Sequence, residues 1–152
     1  MEQHVFVPAV FYRDPRAALT WLEKAFGFET TMIIEPEDGD ATMSHYEMSY
    51  QGKGSIMVGA EWTDWSRSPA SLDGANTQTL HVSVDQEIDA HCERARAAGA
   101  TVVAEPEDQF YGDRTYSALD LEGHHWTFGM RVKDVSREEA EVASGLKIQG
   151  WV

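Results

Sequence analysis

The chain is predicted to be an α+β protein made of two successive βαβββ units. Three observations predict it. The tetrapeptide Glu-Pro-Glu-Asp occurs twice, at 35–38 and 105–108. Each copy follows an apolar run, Met32-Ile33-Ile34 and Val102-Val103-Ala104, and each run follows an amphipathic stretch closed by glycine. Two further extended segments come after each copy, so the same order of elements is read twice.

In the first unit a strand is expected from Val5 to Tyr12. Asp14 is a good N-cap and Pro15 suits the first helical position, where its missing N–H costs nothing. Ala18, Trp21, Leu22, Ala25 and Phe26 then fall on one helical face. Gly27 can take the left-handed conformation that ends a helix. A strand with Met32-Ile33-Ile34 follows and runs out into the acidic Glu35-Pro36-Glu37-Asp38. Two strands close the unit, Thr42 to Tyr50 and Ser55 to Ala60, joined by the turn Gln51-Gly52-Lys53-Gly54.

The second unit repeats the order. A strand is expected from Thr79 to Val84, and Asp85 can cap a helix whose buried face is Ile88, Cys92, Ala95 and Ala97 or Ala98, ending at Gly99. The second Glu-Pro-Glu-Asp is again read as the polar exit of a strand. Its acidic residues could chelate a cation, but solvated turns are the simpler reading. The last pair of strands is Thr115 to Asp120 and His124 to Met130, around Leu121-Glu122-Gly123.

One domain is expected: a first module over about 4–60, a connection over 61–77, a second module over about 78–131 and a tail over 132–152. The connection has loop composition yet carries Trp62 and Trp65, which should pack on the body, a partner subunit or a ligand. In the tail, Ser136 and Glu139 form a capping box for a short helix ending at Gly145. Beyond it Leu146, Ile148, Trp151 and Val152 suggest docking.

Acidic residues number 26 against 12 basic, a formal net charge of −14. Such a surface repels phosphate backbones and anionic headgroups, so neither nucleic acid nor membrane is an expected partner. The single cysteine, Cys92, permits no intramolecular disulfide and fits a reducing compartment. The start Met-Glu-Gln-His lacks the features of a signal peptide, and no apolar run reaches spanning length, so a cytoplasmic location is expected. No serine–histidine–acid arrangement, reactive-cysteine context or glycine-rich phosphate loop stands out.

Two βαβββ units in one chain resemble the vicinal oxygen chelate superfamily, the glyoxalase, bleomycin resistance and extradiol dioxygenase group. The stretches that carry the likeness are DPRAALTWLEKAFGF (14–28), IDAHCERARAAG (88–99) and YGDRTYSALDLEGHHWTFG (111–129). The resemblance implies a curved mixed sheet that wraps a cup, helices outside, and relatives that commonly pair two chains. A symmetric homodimer is therefore expected.

Metal-dependent members of that superfamily draw His, Gln or Glu ligands from the first and fourth strands of each unit. Here those positions fall on Val7, on Met57 to Gly59, on Thr127 and on His81. Only His81 is a good donor. Adjacent His124 and His125 point to opposite sides of a strand. His45 and Glu47 share a face without completing a cage, and His91 lies on a helix expected outside the cup. Neither a metal nor another cofactor is expected.

Strand parity instead assigns a ligand pocket. His125 and Thr127 should face the cup, with Trp126 and Phe128 toward the helices. His81 and Ser83 should face the cup, with Val82 and Val84 toward the helix. Phe11 shares the cup side with Val7 and Ala9, where it serves either core packing or ligand contact. Trp65 is a further candidate. Arg114 either pairs with Asp113 or a neighbouring carboxylate, or orients an anionic or carbonyl ligand at the rim, with Tyr111 and Phe110 adding stacking area.

The function expected is metal-independent binding of a small organic molecule, for sequestration or sensing. The alternative is an enzyme of the same superfamily, a glyoxalase-type lyase, isomerase, thiol transferase or dioxygenase. It would need a metal site around His81 with Glu47 or Glu61, or acid–base work by His81 or His125.

Overall fold

The computed structural model describes residues 3–151. Its elements follow the order read from the sequence: β1 (Ala9–Tyr12), α1 (Pro15–Phe26), β2 (Glu29–Ile34), β3 (His45–Tyr50) and β4 (Gly54–Ala60) form the first module. The second comprises β5 (Thr79–Ser83), α2 (Ile88–Ala97), β6 (Thr101–Asp108), β7 (Asp113–Leu119) and β8 (His125–Arg131), followed by α3 (Arg137–Ser144).

The strands form two four-stranded mixed sheets of identical topology, β1-β4-β3-β2 and β5-β8-β7-β6. The α+β class and the repeat are therefore as expected. The one curved sheet implied by the resemblance is divided in two. In each module the first strand pairs in parallel with the fourth and the other pairs are antiparallel. This places the covering helix in the crossover between strands one and two.

One face of each sheet is covered by helix, and the two covered faces share a single core. Leu22, Ala25 and Phe26 of α1 are buried with Val10, Tyr12, Met48 and Val58 of the first sheet and Tyr116, Trp126 and Phe128 of the second. The Phe26 ring lies 4.6 Å from Phe128 and 5.5 Å from Trp126. Burying such large rings supplies most of the drive for the modules to close on each other. A polar clasp at the module junction adds direction. Asp120 accepts from the Tyr12 hydroxyl at 2.6 Å and from Trp126 Nε1 at 3.0 Å, and His124 Nε2 donates to the Phe11 carbonyl at 2.6 Å.

Several local expectations hold. Asp14 caps α1 through the Ala17 N–H, and Gly27 closes it with φ 84°. Ser136 and Glu139 form the capping box of α3, and Gly145 ends it. Other expectations are revised. β1 starts at Ala9, because Pro8 has no N–H to give a ladder, and Val5 and Phe6 before it are exposed. Asp85 does not cap α2: its carboxylate accepts from Gln51 and Lys53 of the first module, and Glu87 occupies the cap without a side-chain bond. His91 joins the buried face of α2, and Leu19 that of α1.

The two Glu-Pro-Glu-Asp copies also part company. The first follows β2 as a turn, as expected. The second lies inside β6, where Glu107 pairs with Thr115 and Asp108 with Arg114. β6 is an edge strand whose register shifts twice. Edges and bulges are where a strand tolerates proline.

Past α3 the tail folds back. Trp151 Nε1 donates to the Val135 carbonyl at 3.0 Å and the Ile148 N–H to Glu141 at 2.9 Å, whereas Leu146 is exposed. Val152 lies outside the described residues, as do the first two residues of the Met-Glu-Gln-His start.

Candidate functional site

The faces not covered by helix are the surfaces available to a ligand, and strand parity decides what they display. On the first sheet cross-strand register places Ala9 beside Met57, Met57 beside Glu47, and Glu47 beside Met32. A row of apolar side chains thus crosses the sheet with one carboxylate in it. One same-face step along, Phe11 lies beside Gly59. With no side chain at Gly59, the Phe11 ring can lie down on the strand there: a β-carbon would meet it at 3.4 Å.

The connection supplies the wall at this end. Trp65 meets Phe11 edge-on with ring centres 6.0 Å apart, and Trp62 meets Trp65 at 5.5 Å. The loop is held by Glu61, which accepts from Arg67 at 2.9 Å, from the Ser68 N–H at 2.9 Å and from Ser71 at 2.9 Å. Burial pushes the Glu61 carboxyl up, but these donors outweigh it and hold it below the usual carboxylate range. Both tryptophans remain more than half exposed, Trp62 at 55% and Trp65 at 71%.

Two recesses lie on this face, of about 410 Å³ around Phe11, Met43, His45 and Trp62 and about 580 Å³ around Val7, Met32, Glu47 and Ser49. Met57 lines both. Between them His45 Nε2 lies 3.0 Å from Glu47 Oε1.

The open face of the second sheet is different in kind. His81, Ser83, His125 and Thr127 all face it, as parity predicts. Thr127 and Ser117 share a hydrogen bond of 2.8 Å, and Gln109 donates to Thr115 at 3.1 Å. His81 folds over Gly129, where a β-carbon would lie 3.1 Å from its Nε2. His125 Nδ1 is buried without a hydrogen-bond partner among the described residues. A third recess, a cleft of about 470 Å³, runs between the modules and is lined by Tyr50, Lys53, Ile56, Gln78, Leu80 and His81.

Arg114 lies elsewhere. It alternates with Thr115 and so points to the helix side of β7, where it bridges Asp89 of α2 at 3.0 Å and Asp108 of β6 at 2.9 Å. The hydrogen bonds it donates to Asp108 and Asp89 raise its pKa. Of the two roles open to it in the sequence, the geometry gives it the ion pair. The partner is not Asp113, which is paired with Arg131 at 2.6 Å. Tyr111 stands in the β6–β7 turn with Phe110, ring centres 5.2 Å apart. The structure therefore brings together Phe11 and Trp65 on one sheet, and His81, Ser83, His125 and Thr127 on the other.

Among the described residues no three His, Cys, Asp or Glu side chains are grouped to hold a metal ion, and His81, Glu47 and Glu61 do not converge. The only cysteine is buried, and burial raises its thiol pKa, which disfavours the thiolate. The sequence offers Trp62 as a contact to the body, a partner or a ligand, and does not point to Glu47 or Met57 as contacts to an organic ligand. The alternation of β3 put Glu47 on the right face, but only the register shows it set between two methionines.

A model of the Glyoxalase/Bleomycin resistance protein/Dioxygenase superfamily matches residues 3–128. TioX from Micromonospora sp. ML1 is 30% identical, covers 88% of this chain and all of its own (100%), and superposes with TM-score 0.62. TnmS3, an antibiotic binding protein from Streptomyces sp. CB03234, shares the fold with TM-score 0.63 at 19% identity, over 86% of this chain and 97% of its own. An uncharacterized protein of Mycobacterium tuberculosis H37Rv is 44% identical over 85 residues, 56% of this chain. The aligned part is about half (49%) of that relative's length.

Proposed function

Because the chain belongs to the Glyoxalase/Bleomycin resistance protein/Dioxygenase superfamily, we propose that it is a binding member of it: a metal-independent protein that sequesters or senses a small organic molecule. The observation that carries this reading is the open face of the first sheet. Phe11, Met57, Trp62 and Trp65 line it with exposed apolar and aromatic surface beside only a few polar groups. That is the usual make-up of a small-molecule site.

Two further points support it. The positions where metal-dependent relatives would place ligands hold Val7, Met57 to Gly59 and Thr127, and the one good donor, His81, belongs to no group of three or more His, Cys, Asp or Glu side chains among the described residues. The fold neighbour TnmS3 is an antibiotic binding protein, which fits a ligand of organic, drug-like character.

The experiment is elemental analysis of protein purified without chelator, followed by a thermal-shift screen of organic compounds. Less than one-tenth of an equivalent of metal is expected, together with ligands that raise the melting temperature by mass action. Stoichiometric, tightly held zinc, iron, manganese or nickel would overturn the metal-independent reading and favour an enzyme.

The same reading includes a homodimer. Val5 and Phe6 are 91% and 87% exposed ahead of the edge strand β1, and Val142 and Leu146 are exposed in the C-terminal segment. A second copy would cover such surface. Light scattering at micromolar concentration should give twice the chain mass, and a monomeric mass would contradict it. Among the described residues no helix is long and apolar enough to cross a membrane.

A further inference from the structure

Glu47 is the residue on the open face of the first sheet that this binding role leaves unexplained. Its side chain is only 25% exposed, and its cross-strand neighbours are Met57 on one side and Met32 on the other. Carboxylates are costly to desolvate and are normally paired when partly buried. Its one hydrogen-bond partner among the described residues is His45, at 3.0 Å. Among the described residues, neither recess on this face is lined by a lysine or an arginine.

Among the described residues, the other titratable groups there are two histidines, His45 and His4. Arg114, the cation that would have suited an anionic ligand, is held on the far face of the other sheet by Asp89 and Asp108. The sign of the fixed charge at the site is therefore negative. Beside it is a platform for a flat ring. Phe11 lies one same-face step from the Met57–Glu47 row, roughly 7 Å along the strand, and Trp65 and Trp62 stand against it. A fused two- or three-ring system spans that distance. Aromatic faces favour a planar cation over a neutral ring, and methionine sulfur packs well against an aromatic ring.

Building on the small-molecule reading, we propose that this face selects planar aromatic cations. The ring system lies against Phe11, Met57 and the two tryptophans, and an amino or ring N–H⁺ group donates to Glu47. His45, on the Phe11 side of Glu47, holds the carboxylate in place at 3.0 Å. The ligand replaces water over a carboxylate that the sheet already half desolvates, so the charge-assisted bond forms in surroundings where it is stronger than in bulk water.

The test uses three probes of nearly one shape on the full chain: 9-aminoacridine, a cation at neutral pH, acridine, which is neutral, and acridine-9-carboxylate, an anion. Affinity is measured by calorimetry and by quenching of tryptophan fluorescence. The cation is expected to bind at least about tenfold more tightly than acridine, and the carboxylate more weakly than either. Glu47→Gln should remove that preference, bringing the cation's affinity down to about that of acridine for the same variant, and Phe11→Ala should weaken all probes that bind. Melting temperatures identify any variant that has not folded. His45→Gln, which keeps a donor toward Glu47, is the second variant and should retain the preference.

Equal affinity for the three probes would overturn the charge selection while leaving a small-molecule site in place. So would a preference for the cation that survives Glu47→Gln, since attraction to the net charge of −14 would then explain it. Failure of all three to bind would overturn the proposal too. The small-molecule reading would then fall only if the wider screen were also empty.

Discussion

His91 Nδ1 lies 2.6 Å from the Tyr116 hydroxyl, in the core between the two modules. Its other nitrogen is 3.1 Å from the Phe26 carbonyl at the end of α1. A carbonyl can only accept, so Nε2 carries the proton and Nδ1 accepts from Tyr116. Burial, chiefly, lowers the His91 pKa, with Arg94 adding to it and the Phe26 bond opposing. The folded protein thus binds this proton less readily than the unfolded chain. The stability contributed by neutral His91 is complete above the unfolded value of about 6.5 and is lost as pH falls below it. Melting temperature should decline from pH 7 to pH 5 more steeply in the natural protein than in His91→Gln; equal slopes would contradict this. Tyr116→Phe leaves Nδ1 unpartnered and should cost about 1–3 kcal/mol by denaturant titration.

The modules are also joined at their helices. Arg94 of α2 donates through Nε to the Lys24 carbonyl and through Nη2 to the Glu23 carbonyl, each at 2.9 Å. These carbonyls lie in the last turn of α1, where intrahelical donors run out; the Glu23 carbonyl also accepts from the capping Gly27 N–H at 3.2 Å. Arg94→Ala should destabilise by about 1–2 kcal/mol. Arg94→Lys should recover only part, because an ammonium cannot span both acceptors as the planar guanidinium does. Full recovery by lysine in the same titration would show that charge alone matters.

Gly112 is predicted to be irreplaceable. Its φ is +101°, and a β-carbon there would run into the Lys133 carbonyl. The Gly112 carbonyl itself accepts from the Val132 and Lys133 N–H groups at 2.9 and 3.0 Å, tying the β6–β7 turn to the chain leaving β8. Gly112→Ala should cost about 2–4 kcal/mol, from backbone strain and overpacking together. A melting temperature within a degree of the natural protein would contradict it.

Arg114→Ala should leave ligand affinity unchanged. The guanidinium faces the helix side and is occupied by two carboxylates. Its removal should lower the melting temperature slightly, more at low salt than at high salt, because exposed ion pairs are screened. His81→Ala tests the other sheet: a ligand that spans the cleft between the modules would lose affinity, and one confined to the first sheet would not. Calorimetry with any compound found by screening decides both.

The secondary elements and their repetition were legible in the sequence by itself, because they rest on local physics. Asp14-Pro15 and Gly27, or Ser136 with Glu139 and Gly145, satisfy or end a helix with groups a few residues away. Strand alternation likewise assigned Trp126 and Phe128 to the helix side and His125, Thr127, His81 and Ser83 to the open side. What the tertiary structure alone decided depends on partners distant in sequence. His91 is buried because Phe26 and Tyr116 come to it, 65 and 25 residues away. Asp85 gives up the helix cap for Gln51 and Lys53 of the other module. Arg114 goes to Asp89 and Asp108, which alternation along its own strand could not choose between. Glu47 gains its meaning from register: a slip of one residue would have turned it to the helix side. Local periodicity determines which face a side chain takes, and only the assembled sheets determine what stands beside it.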